Sequence, residues 1–157
     1  MKKLVIYYSF EGNTKFIAEN IAQAIDADIL ELKPVNNIKS HGLMKYVWGG
    51  KQVIFGNKPQ LEKFDKNPQD YDLIVFGTPI WSFTYAPALA TFLDENKLTG
   101  KKVGLFCCDG GNKGKTFIKL REVVKGNEIL GEIEFKEPIK GDLEKANRAK
   151  QWASLLL

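Results

Sequence analysis

Three stretches of the chain are unbroken apolar runs: residues 4–8 (Leu-Val-Ile-Tyr-Tyr), 73–76 (Leu-Ile-Val-Phe) and 103–108 (Val-Gly-Leu-Phe-Cys-Cys). Short runs without polar alternation fit strands covered on both faces, as in the middle of a parallel sheet. Two weaker strand segments accompany them. Residues 28–33 (Asp-Ile-Leu-Glu-Leu-Lys) stop at Pro34, and residues 128–135 alternate, with Ile129, Ile133 and Phe135 assigned to one face and Glu132 and Glu134 to the other. Charge at alternating positions suits an edge.

Helical spacing fills the intervals. Ile17, Ala18, Ile21, Ala22 and Ile25 follow the first strand, with Asn13 or Thr14 as the expected N-cap. Ala86-Pro87-Ala88 opens a helix carrying Leu89, Phe92 and Leu93, since proline is favoured in a first turn. Phe117, Leu120 and Val124 form a third stripe closed by Gly126. Asp142 caps a last helix whose inward positions are Leu143, Ala146, Ala149, Trp152 and Leu156. Residues 35–67 are harder to read; a helix over 42–54, interrupted by Gly49-Gly50, and then a loop are expected.

Alternating strands and helices predict an α/β fold with a doubly wound, five-stranded parallel sheet. Placing the apolar runs in the centre gives the order 2-1-3-4-5. No repeat or linker divides the chain, so residues 1–157 are expected to form one domain.

Sheets of this order bind ligands beyond the carboxyl ends of the strands, where the order reverses. That directs attention to three loops. Residues 9–14 read Ser9-Phe10-Glu11-Gly12-Asn13-Thr14. A glycine turn, two hydroxyls and a helix start suit a phosphate, because free N–H groups and the helix dipole point at it. The same residues also suit a plain capped turn. Residues 78–85 read Thr78-Pro79-Ile80-Trp81-Ser82-Phe83-Thr84-Tyr85. Three aromatics at a ligand edge suit stacking on a flat heteroaromatic ring, or else cover the core end or a subunit contact. Residues 109–114 contribute Asp109, Gly110 and Gly111, whose missing side chains let backbone approach a ligand.

Together these loops resemble the flavodoxin family over nearly the whole chain. Tyr7-Tyr8-Ser9-x-x-Gly12-Asn13-Thr14 is similar to the family's phosphate loop. Gly77-Thr78-Pro79-x-Trp81 resembles the loop that carries a flavin-stacking tryptophan, and Asp109-Gly110-Gly111 falls at its third loop. The resemblance implies a flavodoxin-like fold and one bound FMN. It implies a cofactor site made of Ser9, Phe10, Glu11, Gly12, Asn13, Thr14, Thr78, Pro79, Ile80, Trp81, Ser82, Phe83, Asp109, Gly110 and Gly111. Short members of this kind are described as NAD(P)H-dependent oxidoreductases, which makes a redox partner or small electron acceptor the expected counterpart. The alternative is an electron carrier between proteins.

The chain departs from the family pattern at four points. Glu11 replaces a hydroxyl residue of the phosphate loop, and no aromatic follows Asp109 to cover the second ring face. The net charge of +4 contrasts with acidic carriers. In flavodoxins a glycine after the tryptophan also permits a peptide flip through positive φ during one-electron reduction. Ser82 and Phe83 stand there instead, which favours two-electron chemistry.

Several other readings are excluded. A P-loop would need glycine where Asp109 stands, and a dinucleotide fingerprint would need more glycines than residues 9–14 supply. A phosphorelay receiver would need acidic residues where Ser9 and Thr78 stand. The lysines are scattered rather than clustered, so no nucleic-acid partner is expected. No apolar run approaches the roughly 20 residues of a membrane span, and no leader follows Met1, so a cytoplasmic location is expected. Cys107 and Cys108 are adjacent, poorly placed to pair and too few for a metal site. The single histidine, His41, is given no role.

Overall fold

The structure is a computed structural model that describes residues 1–35, 58–138 and 141–157. Among the described residues there are six strands: β1 (Lys3–Tyr7), β2 (Asp28–Glu31), β3 (Leu73–Trp81), β4 (Thr84–Tyr85), β5 (Lys102–Asp109) and β6 (Glu128–Lys136). The described residues also form four α-helices, α1 (Asn13–Ile25), α2 (Pro87–Glu95), α3 (Thr116–Val123) and α4 (Leu143–Ser154), and a short 3-10 turn at Pro68–Asp70. The five parallel strands run β2-β1-β3-β5-β6, and β4 is an antiparallel addition to the end of β3. The expected order therefore holds, with β5 and β6 as the fourth and fifth parallel strands. The helix expected over 42–54, with Trp48 and His41, lies outside the described residues.

Each face of the sheet has its own core. Ile6, Ile74, Phe76 and Leu105 meet α2 and α3 through Leu89, Phe92, Phe117 and Leu120. Val5, Val75, Phe106 and Phe135 meet α1 and α4 through Ile17, Ile21, Ala149 and Ala153. All four residues Leu4–Tyr7 of β1 are buried, so an unbroken apolar run is what a doubly covered strand requires. Each such aliphatic or aromatic side chain contributes about 1.5–3 kcal/mol when fully buried.

Helix starts differ in one place from expectation. The N-cap of α1 is Gly12 at φ +98°, not Asn13 or Thr14, which are the first helical residues. The sharp left-handed turn needs a residue without a Cβ, and that requirement outweighs side-chain capping. In α2, Pro87 occupies the first turn, and in α4 the Asp142 carboxylate accepts from the Lys145 N–H at 3.1 Å. Leu143, assigned inward, is 76 % exposed because it lies on the first turn of α4, beyond the sheet that Ala146 and Ala149 reach.

The alternation read in β6 is broken. Val103 of β5 pairs with Ile129 but Gly104 pairs with Gly131, so Leu130 is an extra residue. A bulge of this kind reverses the face of everything beyond it. Ile129 accordingly packs on the α2–α3 side, whereas Ile133 and Phe135 pack on the α1–α4 side. Gly104 and Gly131 lie side by side beneath α4. A Cβ on Gly104 would stand 2.8 Å from Leu156 Cδ1, and one on Gly131 would stand 3.2 Å from Trp152 Nε1.

Candidate functional site

The carboxyl ends of β1, β3 and β5 deliver residues 9–14, 78–85 and 109–114 to one edge of the sheet, as the strand order requires. At the first, the Gly12 N–H donates to Ser9 Oγ at 3.1 Å, closing a turn that points the start of α1 at this edge. No side chain caps that helix end, and its first turn carries no acid. The leading N–H groups of a helix have no partners within the helix. An uncapped end with its positive dipole therefore suits an anion. Thr14 is buried beside Cys108 of β5. Glu11 is exposed at the outside of the turn.

Residues 78–85 are not a loop. Thr78–Trp81 continue β3, and Ile80 and Trp81 pair with Tyr85 and Thr84 to form a hairpin. Its two turn residues, Ser82 (φ +48°) and Phe83 (φ +62°), are both left-handed. This is the two-residue hairpin geometry that normally selects Asn-Gly, so the sequence carries no sign of it. Because Ser82 already sits at positive φ, its side chain does not bar that conformation. Ser82 therefore does not by itself favour two-electron chemistry. The buried Thr78 hydroxyl accepts from the Ala86 N–H at 2.9 Å and donates to the Pro79 carbonyl at 2.7 Å, pinning the base of the hairpin.

Trp81 is partly buried and stands edge-on to two other rings. Its centroid is 5.5 Å from Tyr8 and 5.7 Å from Phe10, with interplanar angles of 90° and 81°. Edge-to-face pairs are favourable and fix ring orientation. Burial pushes the Tyr8 phenol up to about 12, so it stays neutral. Tyr8, one residue before Ser9, is itself buried and provides the wall on which Trp81 rests.

The third segment begins inside the fold. Asp109 ends β5 and is only 7 % exposed. Its Oδ1 accepts from the Gly111 N–H at 3.1 Å. Its Oδ2 is buried without a hydrogen-bond partner among the described residues, as is Thr116 Oγ1 at the start of α3. Burial first, and then the neighbouring Glu134 carboxylate on β6, push the Asp109 acid up to about 6. Glu134 is held below its usual range by Asp109 and by Lys113, whose Nζ lies 3.6 Å away. Gly110 and Gly111 face open space. Gly114 touches the hairpin tip, and the Lys115 N–H donates to the Phe83 carbonyl at 3.1 Å. The near P-loop spelling at Gly114-Lys115-Thr116 thus serves to dock one loop on another.

The profile of the family described as Flavodoxin matches residues 2–137. The chain belongs to the flavodoxin family. A flavoprotein from Lactobacillus acidophilus, solved in complex with FMN, is 28 % identical to this flavodoxin-family chain, with a TM-score of 0.74 over 85 % of this chain and 92 % of that one. A flavodoxin from the domain Archaea shares the fold at 20 % identity, with a TM-score of 0.58 over 99 % of both chains. An uncharacterized protein of Methanocaldococcus jannaschii is 30 % identical over 138 residues, which are 85 % of this chain and 73 % of the relative.

Within this flavodoxin fold, Ser9, Gly12, Asn13, Thr14, Thr78, Trp81, Asp109, Gly110 and Gly111 come to a common edge. Phe83 differs, being 64 % exposed at the hairpin tip. Cys107 and Cys108 are both free, buried thiols, and burial raises both well above the ordinary thiol range, so they are poor nucleophiles. No metal-binding group of histidine, cysteine and acid residues occurs among the described residues. No described helix is long and apolar enough to cross a membrane.

Proposed function

We propose that this protein binds FMN at the carboxyl edge of its sheet and acts as a flavin-dependent oxidoreductase. Electrons would pass from a reduced nicotinamide or protein donor to a small quinone-like acceptor. The observation that carries the reading is the convergence of an uncapped helix start and an oriented tryptophan on one sheet edge, in a chain whose relative from L. acidophilus binds FMN.

The residues present fit that cofactor. Ser9 and Asn13, with the first N–H groups of α1, would hold the terminal phosphate, which is why FMN is favoured over a flavin with an adenosine half. Thr78, Pro79, Ile80 and Trp81 would flank the ring, and the Tyr8 and Phe10 edges hold Trp81 at a fixed angle. Asp109, Gly110 and Gly111 would border its other side. Bound there, FMN supplies a carrier able to accept or release one or two electrons. Gly110 and Gly111 would cover that side of the ring less than an aromatic would, and this favours an enzyme.

The exposed Phe83 favours the second reading, an electron carrier, because an apolar side chain at the rim suits protein docking. An absorption spectrum of the purified protein, with mass identification of the released chromophore, tests the cofactor. Release of FAD, or no uptake of added FMN, overturns the reading. Steady-state oxidation of NADH or NADPH with a quinone, by the protein alone, separates enzyme from carrier.

A further inference from the structure

Asp109 poses a bookkeeping problem in hydrogen bonds. One carboxylate oxygen is satisfied by the Gly111 N–H, while Oδ2 is buried with no partner among the described residues. Buried polar atoms are almost always paired, so an orphan calls for a physical cause. Glu134 is the neighbouring acid that acts on it. Register explains why. Asp109 pairs with Lys136 and Cys107 with Glu134, so Glu134 lies on the same face of the sheet, one step back along the neighbouring strand. Two carboxyl groups meet where neither can be solvated fully by water. A single proton between them turns the orphan oxygen into a donor and Glu134 into its acceptor.

The surrounding charges fit one proton rather than two or none. Lys113, from the segment after β5, lies 3.6 Å from Glu134 Oε2 and favours its ionised form. Lys136, from β6, also acts on both carboxyls. From α4, Arg148 donates to the Glu134 backbone carbonyl at 3.0 Å. On β5 itself the neighbours are the Cys107 and Cys108 thiols, both neutral. The backbone N–H of Glu137 donates to the Asp109 carbonyl at 2.7 Å, tying the two strand ends together.

Asp109 opens the segment that continues through Gly110 and Gly111. From this we propose that Asp109 and Glu134 share one proton, and that seating a flavin ring against this segment draws that proton in from solvent. The linkage rests on the FMN reading given above; the pair itself does not. A ring laid there removes what water still reaches this largely buried pair, Asp109 being 7 % exposed, and lost solvation disfavours the charged form of an acid. The bound state then holds the proton more tightly than the free state, so affinity rises as the pH falls.

Riboflavin is the probe, because it lacks the phosphate, whose own second ionisation near pH 6 would obscure the effect. Its affinity for the full-length protein is measured by fluorescence titration between pH 5 and pH 8. Binding is expected to weaken about fivefold to tenfold across that range, the effect of a pKa rise of about one unit. Asp109→Asn, which keeps a hydrogen-bonding side chain without a titrating proton, is expected to stay within about twofold. Carbon-detected NMR of the Asp109 carboxyl in the ligand-free protein tests the pair separately. Titration near pH 6, falling toward the ordinary aspartate range in Glu134→Gln, supports it. Titration of Asp109 in the ordinary range in the unmodified protein overturns the shared proton. Flat riboflavin affinity in the unmodified protein overturns the linkage. If neither FMN nor riboflavin binds at any pH, the cofactor reading fails and takes the linkage with it, while the NMR titration still decides the pair.

Discussion

Gly114 lies against the backbone of Phe83 so closely that a Cβ at Gly114 would stand 2.5 Å from both the Phe83 Cβ and its carbonyl oxygen. Only a glycine lets the third segment close on the hairpin tip. Gly114 also has φ +53°, a second reason for its identity. Because the obstructing atom is backbone, Gly114→Ala must push the two segments apart. We expect a loss of about 1–3 kcal/mol in stability, read as a lower melting temperature. FMN affinity should fall as well, since the displaced hairpin carries Trp81. Unchanged melting would show that the tip moves freely.

The hairpin turn can be relieved in the opposite direction. Ser82 and Phe83 both occupy left-handed backbone, which costs non-glycine residues on the order of 1 kcal/mol each. Replacing them with Asn-Gly supplies the residues the turn geometry prefers. The double variant is expected to unfold at higher temperature, by about 1 kcal/mol after the entropy of the added glycine is offset. If activity with a protein partner falls in the same variant, Phe83 is retained for contact rather than for folding.

Trp81 has two sets of neighbours to lose. Trp81→Ala removes its edge contacts with Tyr8 and Phe10 and any face offered to a flavin. Stacking on an aromatic side chain is worth about 1–3 kcal/mol, so FMN should bind about tenfold to a hundredfold more weakly. FMN should quench Trp81 fluorescence in the unmodified protein, and this quenching should vanish in the variant. Quenching that persists would place the ring elsewhere.

Two strand glycines offer a contrast in how steric conflict is resolved. A Cβ on Gly77 would meet Phe106 Cζ at 2.1 Å, with two further ring atoms within 2.8 Å. Phe106 is wholly buried and packs on Phe135, so its ring has nowhere to go. A Cβ on Gly104 meets the end of Leu156, a flexible side chain near the terminus. Gly77→Ala should therefore destabilise by about 3 kcal/mol or prevent folding, whereas Gly104→Ala should cost about 1 kcal/mol. Denaturant melts of the two variants, side by side, check the order.

Asp109 also makes stability depend on pH. Its folded value, pushed up to about 6, exceeds its ordinary 3.8, so the folded chain holds this proton more tightly than the unfolded chain does. The associated stability is complete below about pH 4 and disappears as the pH rises through 6. Asp109→Asn should consequently flatten the decline in stability between pH 4 and 7 seen in equilibrium unfolding. An identical decline in the variant would assign it to another group.

Much of the fold was legible because burial leaves a direct mark on sequence. Residues 4–8, 73–76 and 103–108 are apolar without interruption, and all three lie in the sheet's centre. The bulge at Leu130 was not legible, because the same string of Ile, Leu, Gly and Glu is compatible with either register until Gly104 and Gly131 meet under Trp152. The hairpin at Trp81–Thr84 was missed because Ser-Phe is a poor turn spelling, held in place by Gly114 and Lys115 about thirty residues later. For the site, the positions of Ser9, Gly12 and Trp81 followed from strand ends alone. Glu134 did not, because its encounter with Asp109 depends on how two strands align. Its charge had been read only as the outer face of an edge strand, although its distance from the end of β6 was the available clue.

The irregular β6 has a further consequence for how the molecule behaves among its own copies. It is a nine-residue edge strand, more than twice the length of β2 at the other edge. Long regular edges invite another chain to add a strand, the first step toward aggregation. Here the inserted Leu130 breaks the register partway along, and Glu128, Glu132, Glu134 and Lys136 would set charge against charge in a second copy paired there. The bulge that seats Trp152 over two glycines thus also interrupts the surface on which a crowded solution of this protein could begin to polymerise.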